Sequence, residues 1–161
     1  EDNVIYIATG IAFDNEMKDR IAKHRAARNV NWITIEAYKG LDSKLESIIG
    51  GREYILLDCV TIMVSNLMLL ENDVDWDNAG IEMVNSIERN ILQEINKFLD
   101  IVRGFRGETI IVSNELGMGI VPPTPLGRYY RDIAGRANQV IADLADEVYF
   151  VVSGIPMRIK E

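Results

Sequence analysis

The stretch Arg20–Asn29, RIAKHRAARN, holds the only histidine of the chain, His24, among four bases and no acid. Helical spacing puts Arg20, His24 and Arg28 on a common face, because residues four apart are neighbours on a helix. Nearby cations favour the neutral imidazole. Such an imidazole can attack a phosphorus centre while guanidinium groups hold the developing phosphate charge. The pattern therefore suggests a nucleophilic histidine, although a solvated or hydrogen-bonded helix residue is the ordinary reading of a lone histidine.

The residues around His24 read as one helix. Asp14–Arg28 has a capping residue in Asp14 and an inner apolar stripe at Met17 and Ile21. His24 or its neighbour continues that stripe, so we expect His24 to face the body of the protein. Metal binding by His24 is not expected, because the single histidine and single cysteine do not form a ligand cluster.

A second candidate is the acid that ends an apolar run. The stretch YILLDC, residues 54–59, places Asp58 after four apolar or aromatic residues. A Walker B strand has this form, and its aspartate binds the Mg²⁺ of a nucleoside triphosphate. The pattern alone favours the alternative, an aspartate at the point where a buried strand meets water.

A third candidate is the loop and helix in SNELGMGIVPPTPLGRYYRDIAGRANQ, residues 113–139. Gly117 and Gly119 permit close approach of a ligand to the backbone. Arg128 and Arg131 follow on a helix, and arginine binds phosphate through its planar fork. The pattern does not separate a phosphate site from a solvated charged face.

The elements that must position these residues alternate along the chain. Strands are predicted near 3–9, 31–38, 54–60 and 108–114, and one or two strands near 147–160. Helices are predicted near 14–28, 41–51, 61–70, 78–103 and 126–146. This alternation predicts an α/β fold with a mostly parallel sheet and helices on both faces. Ligands bind at the carboxyl ends of such strands, where Thr9, Gly10, Asp58 and Glu115 lie.

Length and composition limit the class of protein. The 161 residues suit a single domain over residues 1–161, and 25 acids against 17 bases give a net charge of −8. That balance argues against nucleic-acid binding. Cys59 alone forms no internal disulfide, and the longest apolar run falls short of a membrane span. We expect a soluble, cytoplasmic protein.

The ordered motifs resemble the bifunctional adenosylcobinamide kinase/adenosylcobinamide-phosphate guanylyltransferase family of cobalamin biosynthesis. The matching stretches include YIAT, ILLDCVTIMVSNL, VSNELGMGIVP, RYYRDIAGRANQ and ADEVYFVVSGIPMRIK, in the family's order over nearly all of the chain. The stretches NELGMGIVP and RDIAGRANQ together are quite specific. The resemblance implies a RecA-like P-loop NTPase fold, a three-layer sandwich, and a homotrimer.

The resemblance also implies two reactions with Mg²⁺. A kinase step moves the γ-phosphoryl group of ATP or GTP to the aminopropanol hydroxyl of adenosylcobinamide. GTP then places GMP on a histidine and releases pyrophosphate, and the GMP passes to adenosylcobinamide phosphate to give adenosyl-GDP-cobinamide. The alternatives are a non-catalytic or kinase-deficient homologue that binds nucleotide or corrinoid, and a P-loop kinase for another small alcohol.

The family's site residues carry over by position. His24 matches the nucleophile; some members have two adjacent histidines there, and the first of these positions is Lys23 in this chain. The implied nucleotide-binding residues are Thr9, Gly10, Ile11, Arg25, Ala26, Ala27, Arg28, Glu36 and Asp58, of which Asp58 would also bind Mg²⁺. We expect Glu115, Arg128 and Arg131 to contact phosphate or corrinoid.

The family also has a strand and a G-x-x-x-x-G-K-[ST] phosphate loop before the stretch that matches the first residues here. The 161 residues do not contain this motif. It supplies the backbone cradle and the lysine for the β- and γ-phosphates. We expect the segment to precede Glu1 in a longer protein; the alternative is a natural protein without the loop that is inactive as a kinase.

Overall fold

A computed structural model of the protein describes residues 2–12 and 14–161, with only the backbone of Ala27 described. The strands are β1 (Val4–Ala8), β2 (Ile33–Glu36), β3 (Tyr54–Asp58), β4 (Glu108–Val112), β5 (Val148–Val152) and β6 (Ile155–Lys160). The helices are α1 (Asn15–Ala27), α2 (Leu41–Glu46), α3 (Val60–Leu69), α4 (Ile81–Gly104) and α5 (Pro125–Leu144).

Four strands form a parallel sheet in the order β2-β1-β3-β4. The register aligns Glu36 with Ala8, Ala8 with Asp58, and Asp58 with Val112. The last residues of all four strands therefore form one row at the carboxyl edge. The predicted α/β architecture, with a mostly parallel sheet flanked by helices, is confirmed.

The centre of the sheet is buried because its sequence is apolar on both faces. All five residues of β1 are buried, and Ile5 and Ile7 are 0 % exposed. Helices α3 and α4 pack on this core through residues such as Val64 and Ile91. Full burial of each such side chain stabilises the fold by roughly 1.5–3 kcal/mol. The carboxyl edge of the sheet is therefore supported by a well-packed core.

The helix that carries His24 begins where the sequence predicts. Asp14 has extended backbone, and its Oδ1 accepts a 2.7 Å hydrogen bond from the Met17 N–H. This bond satisfies one of the amides that the first turn leaves without a partner. Helix α5 begins in the same way, with Thr124 as the cap and Pro125 in the first turn.

The last two strands decide between the one strand and the two strands that the sequence allows near 147–160. β5 and β6 form a separate antiparallel hairpin rather than an extension of the parallel sheet. The turn consists of Ser153 and Gly154, whose φ angles are 52° and 80°. Positive φ at both positions is typical of the turn that joins two hairpin strands. The two residues of this turn therefore determine that β5 pairs with β6 in the antiparallel direction.

None of the helices in the described part of the chain has the length and apolar character needed to cross a membrane.

Candidate active site

A cavity of about 430 Å³ lies between α1 and the carboxyl ends of β1 and β2. Gly10 and Ile11 after β1 line it, Glu36 closes β2 beside it, and α1 contributes Lys18 and Arg25. The volume falls within the range of sites for small ligands. The structure thus brings together four residues predicted to bind nucleotide: Gly10, Ile11, Arg25 and Glu36.

Arg25 and Glu36 form a two-pronged ion pair at this cavity. Arg25 Nε donates to Glu36 Oε1 at 2.6 Å, and Arg25 Nη2 donates to Oε2. The hydrogen bond from Arg25 lowers the pKa of Glu36, and the pKa of Arg25 is raised in turn. The charges of these two residues therefore offset each other, and a ligand of either sign must compete with the pair.

His24 is exposed, which corrects the expectation that it faces the body of the protein. None of the described side chains of α1 is buried; Met17 and Ile21 are only half-buried. The apolar stripe of α1 consists of Met17 and Ile21 only and does not extend to His24. The imidazole therefore faces solvent. No hydrogen bond to the imidazole is found within residues 2–12 and 14–161.

The bases around His24 are mostly paired, although the stretch itself contains no acid. Acids one turn earlier supply the partners: Glu16 pairs with Arg20 at 2.8 Å, and Asp19 pairs with Lys23 at 2.5 Å. Both pairs are exposed, and such pairs contribute little to stability. The predicted basic cluster is therefore weaker than the local sequence suggests.

Arg28 is bound differently from these bases. Its Cζ lies 4.0 Å from the centroid of the Tyr6 ring, in a cation–π contact. Its Nε is buried without a hydrogen-bond acceptor, and no ion pair to a carboxylate is found for Arg28 in the part of the chain described. Of the two alanines that precede Arg28, Ala26 is exposed, and the side chain of Ala27 lies outside the described residues.

Asp58 accepts a hydrogen bond from the Tyr6 hydroxyl, with 2.5 Å between the oxygen and Oδ2. Burial, followed by the Asp58 carboxylate, raises the pKa of Tyr6 to about 12. Tyr6 therefore stays protonated and keeps donating near neutral pH. The Trp32 ring also stacks on Tyr6, with the ring centroids 6.0 Å apart.

The surroundings of Asp58 fit a Mg²⁺ site in which substrate supplies most of the ligands. Among the described residues, no group of three or more metal-ligating side chains occurs, and Oδ1 of Asp58 has no protein partner. Mg²⁺ commonly binds through one or two carboxylates together with water and substrate phosphates. A single half-exposed carboxylate at the sheet edge has this chemistry.

Thr9 is fully buried, and its hydroxyl is used inside the protein. It donates to the Cys59 carbonyl at 2.8 Å and accepts from the Cys59 N–H at 2.9 Å. Its backbone carbonyl accepts a 2.7 Å bond from Asn66. The side chain of Thr9 therefore fixes the backbone beside Asp58, while Gly10 and Ile11 border the cavity.

Glu115, Arg128 and Arg131 are brought together around the loop before α5, residues 116–124. Arg128 Nη1 donates to the carbonyls of Pro122 and Pro123 at 3.2 and 2.7 Å, rather than to Asp132 on its own helix. Arg131 donates to the Gly119 carbonyl at 3.4 Å, and Glu115 accepts from the Gly117 N–H at 2.5 Å. All three brace this loop.

Sequence reasoning missed the residues that support these groups, chiefly Tyr6, Thr61 and Asn66. The alternation of side chains along a strand is the sequence signal that could identify Tyr6. In the structure Tyr6 on β1 pairs with Leu56 on β3. Asp58, two residues after Leu56, therefore lies on the same face of the sheet as Tyr6. Thr61 and Asn66 lie in an apolar helix and are 2 % and 1 % exposed. Buried polar side chains of this kind need hydrogen-bond partners, and no sequence pattern identifies which residues these partners are.

Comparison with known proteins agrees with the geometry. The family model for "Cobinamide kinase / cobinamide phosphate guanyltransferase" matches residues 1–159. The bifunctional adenosylcobalamin biosynthesis protein CobU of Salmonella typhimurium is 42 % identical over 161 residues, which cover 98 % of this chain and 86 % of the relative. CobU of Escherichia coli is also 42 % identical, over 158 residues with the same coverage. CobP of Pseudomonas aeruginosa is 38 % identical over 157 residues, covering 98 % of this chain and 82 % of the relative. The chain belongs to the cobinamide kinase/cobinamide phosphate guanyltransferase family.

Proposed function

We propose that the protein phosphorylates adenosylcobinamide and then transfers GMP to the phosphorylated product. The observation that carries this proposal is the family match over residues 1–159, together with a cavity in the size range of small-ligand sites beside the helix of His24. The kinase-deficient alternative is not favoured, because relatives at 42 % identity bear the names of bifunctional enzymes.

His24 is the proposed nucleophile of the guanylyl transfer. A ring nitrogen attacks the α-phosphorus of GTP, and the bond from that phosphorus to the bridging oxygen breaks as pyrophosphate leaves. A phosphate oxygen of adenosylcobinamide phosphate then attacks the same phosphorus and releases the imidazole. The exposed ring of His24, free of hydrogen bonds within the described residues, is accessible for this attack. Arg28 is the proposed partner for the charge that develops on the phosphate.

The kinase step transfers the γ-phosphoryl group of ATP or GTP to the aminopropanol hydroxyl of adenosylcobinamide. Asp58 is the residue that would hold Mg²⁺, and a bound Mg²⁺ would neutralise charge on the phosphates. The β- and γ-phosphates also need the phosphate-loop motif described above. Kinase assays therefore use protein that contains this motif.

We also propose a homotrimer in the cytoplasm, as the family resemblance implies. The hairpin β5–β6 supports an interface between copies of the chain. One face of the hairpin presents exposed apolar side chains, among them Val152 at 46 %, Ile155 at 67 % and Ile159 at 67 %. Contiguous apolar surface of this kind marks an interaction site. Sedimentation of the full-length protein tests the trimer, and a monomer would contradict it.

The test of the guanylyl step is covalent labelling. Full-length protein is incubated with α-labelled GTP and Mg²⁺, and we expect a phosphoramidate that is labile in acid and stable in alkali. His24→Ala should abolish the label, whereas Lys23→Ala, next to it and paired only with Asp19, is the matched control and should retain it. Equal labelling of His24→Ala protein would overturn the assignment of the nucleophile.

The kinase step has a separate test. Full-length protein should consume ATP or GTP only when adenosylcobinamide is present, and His24→Ala protein should keep this activity. Turnover with another small alcohol but not with the corrinoid would favour a different P-loop kinase. Ligand binding without either turnover would favour the non-catalytic alternative.

A further inference from the structure

Tyr6 contacts both Asp58 and Arg28. It lies on β1, is 6 % exposed, and pairs in register with Leu56 on β3. Asp58 is two residues beyond Leu56 and therefore on the same face, within reach of a long aromatic side chain. Its position on the central strand fixes the Tyr6 ring before any ligand binds.

The hydroxyl of Tyr6 restricts the Asp58 carboxylate. The 2.5 Å hydrogen bond occupies Oδ2 and leaves Oδ1 without a partner among the described residues. A carboxylate with one oxygen anchored has lost most of its rotational freedom, so its free oxygen has a defined direction. This arrangement is pre-organised for a ligand that needs a single carboxylate oxygen.

The ring of Tyr6 restricts the Arg28 guanidinium by a separate contact. Arg28 Cζ lies 4.0 Å above the ring centroid. The nearby bases of α1 are held by carboxylates at 2.8 and 2.5 Å, whereas no such pair is found for Arg28 within residues 2–12 and 14–161. Its charge is therefore positioned by an uncharged ring and stays available to an anion.

We propose that Tyr6 is a positioning residue that orients Asp58 through its hydroxyl and Arg28 through its ring, so that one side chain sets the separation between the metal-binding carboxylate and the phosphate-binding guanidinium. This inference rests on the proposed function. It extends that function by making metal and phosphate binding depend on different parts of the same residue. The two dependences can be separated by substitution.

The experiment measures binding rather than turnover. Full-length protein is titrated with Mn²⁺ and the α,β-methylene analogue of GTP, which cannot transfer GMP, and the bound metal is followed by water-proton relaxation. The same analogue is titrated without metal, in EDTA. Tyr6→Phe removes only the hydroxyl, Arg28→Lys keeps the charge but loses the planar stack, and Tyr149→Phe is the matched control. Tyr149 donates a 2.7 Å bond to Glu147 on the exposed hairpin.

Tyr6→Phe should weaken binding of the Mn²⁺–nucleotide complex about 3- to 10-fold, the range of one lost hydrogen bond. Its metal-free nucleotide affinity should stay within about 2-fold. Arg28→Lys should reduce the affinity for the nucleotide analogue measured without metal by about 3- to 10-fold. Tyr149→Phe should match the wild type in both titrations.

Equal Mn²⁺–nucleotide affinity in wild type and Tyr6→Phe would overturn the role of the hydroxyl, and unchanged metal-free affinity in Arg28→Lys would overturn the role of the ring. If the wild type binds the Mn²⁺–nucleotide complex but His24 takes no label from GTP, the proposed guanylyl transfer fails while these comparisons still decide the role of Tyr6. If the wild type binds no nucleotide, both are overturned.

Discussion

The side-chain amide of Asn114 donates a 2.6 Å hydrogen bond to the hydroxyl of Thr61, joining the segment after β4 to the first turn of α3. The Thr61 carbonyl in turn accepts a 3.1 Å bond from the Tyr130 hydroxyl on α5. Asn138, also on α5, donates to the Asn114 carbonyl at 3.1 Å. Three elements therefore meet at Thr61, and this polar junction fixes the edge of the site beyond Asp58.

Thr61→Val should destabilise the protein by about 1 kcal/mol, because valine keeps the shape of threonine but removes the acceptor for Asn114. Thr61 is 2 % exposed, whereas Asn114, which loses its acceptor, is exposed and can bond to water, so the expected cost stays near the middle of the range for one lost hydrogen bond. The free energy of unfolding in urea measures the change. Thr61→Ser keeps the hydroxyl and loses a methyl group; if it kept the Asn114 contact, as judged by the side-chain amide resonances of Asn114, yet lost as much stability as Thr61→Val, the bond would not be the cause.

The ion pair between Arg25 and Glu36 should appear in the titration of Glu36. Because the hydrogen bond from Arg25 lowers the pKa of Glu36 in the folded protein, the pair contributes stability above the unfolded pKa of the carboxyl group. That contribution is lost as the pH falls through the folded pKa. In Arg25→Gln protein the pKa of Glu36 should rise toward its ordinary value, as followed by the ¹³C shift of its carboxyl carbon.

Arg106→Gln is the control for this titration, since it removes a charge from the exposed segment after α4. The pKa of Glu36 should be the same in Arg106→Gln protein as in the wild type. A Glu36 pKa that is equally unaffected by Arg25→Gln would show that the pair is not formed in solution.

The sheet and its carboxyl edge could be predicted from the sequence because the signals are local. The apolar runs of β1 and β3 identify buried strands, and parallel pairing places Asp58 in line with Ala8. The hairpin of β5 and β6 was not resolved, since its run of alternating and apolar residues fits one long strand or two. Only the turn at Gly154 separates the two readings.

The side-chain contacts of the site could not be predicted in the same way. The acids that pair with Arg20 and Lys23 are Glu16 and Asp19, which lie one turn earlier, outside the stretch that suggests a basic cluster. The resemblance implies that Thr9 contacts the nucleotide, but it does not predict that the Thr9 hydroxyl bonds to Cys59, which is 50 residues away in sequence. Pairings of this range depend on strand register, which no local pattern specifies.

Replacing Asn66 by aspartate should destabilise the protein more than replacing it by alanine. Its amide donates a 2.7 Å bond to the Thr9 carbonyl, and the residue is 1 % exposed. Asn66→Ala leaves that buried carbonyl without a donor, at a cost of about 1–3 kcal/mol. Asn66→Asp places a second acceptor against it and should cost at least about 2 kcal/mol more when ionised.

Asn90→Asp, on the exposed face of α4, is the matched control for the charge and should change the free energy of unfolding by no more than about 0.5 kcal/mol. Urea unfolding at pH 7 compares the three variants. If Asn66→Asp were as stable as Asn66→Ala, the amide would not be donating to Thr9 in solution.

Arg128 should control the order of the loop 116–124. Its guanidinium bonds to the carbonyls of Pro122 and Pro123, so Arg128→Ala removes the main brace between this loop and α5. We expect amide exchange at Gly119, whose N–H donates to the Leu116 carbonyl at 3.4 Å within this loop, to become several-fold faster.

Arg136→Ala is the control, because Arg136 lies on the same helix but pairs with Glu88 on α4. Exchange in the loop should be unchanged in that variant. If Arg128→Ala also left exchange unchanged and instead raised the KM for adenosylcobinamide, Arg128 would be a substrate contact rather than a brace. If exchange and KM both rose, the loop would be part of the corrinoid site, with Arg128 holding it in the binding conformation.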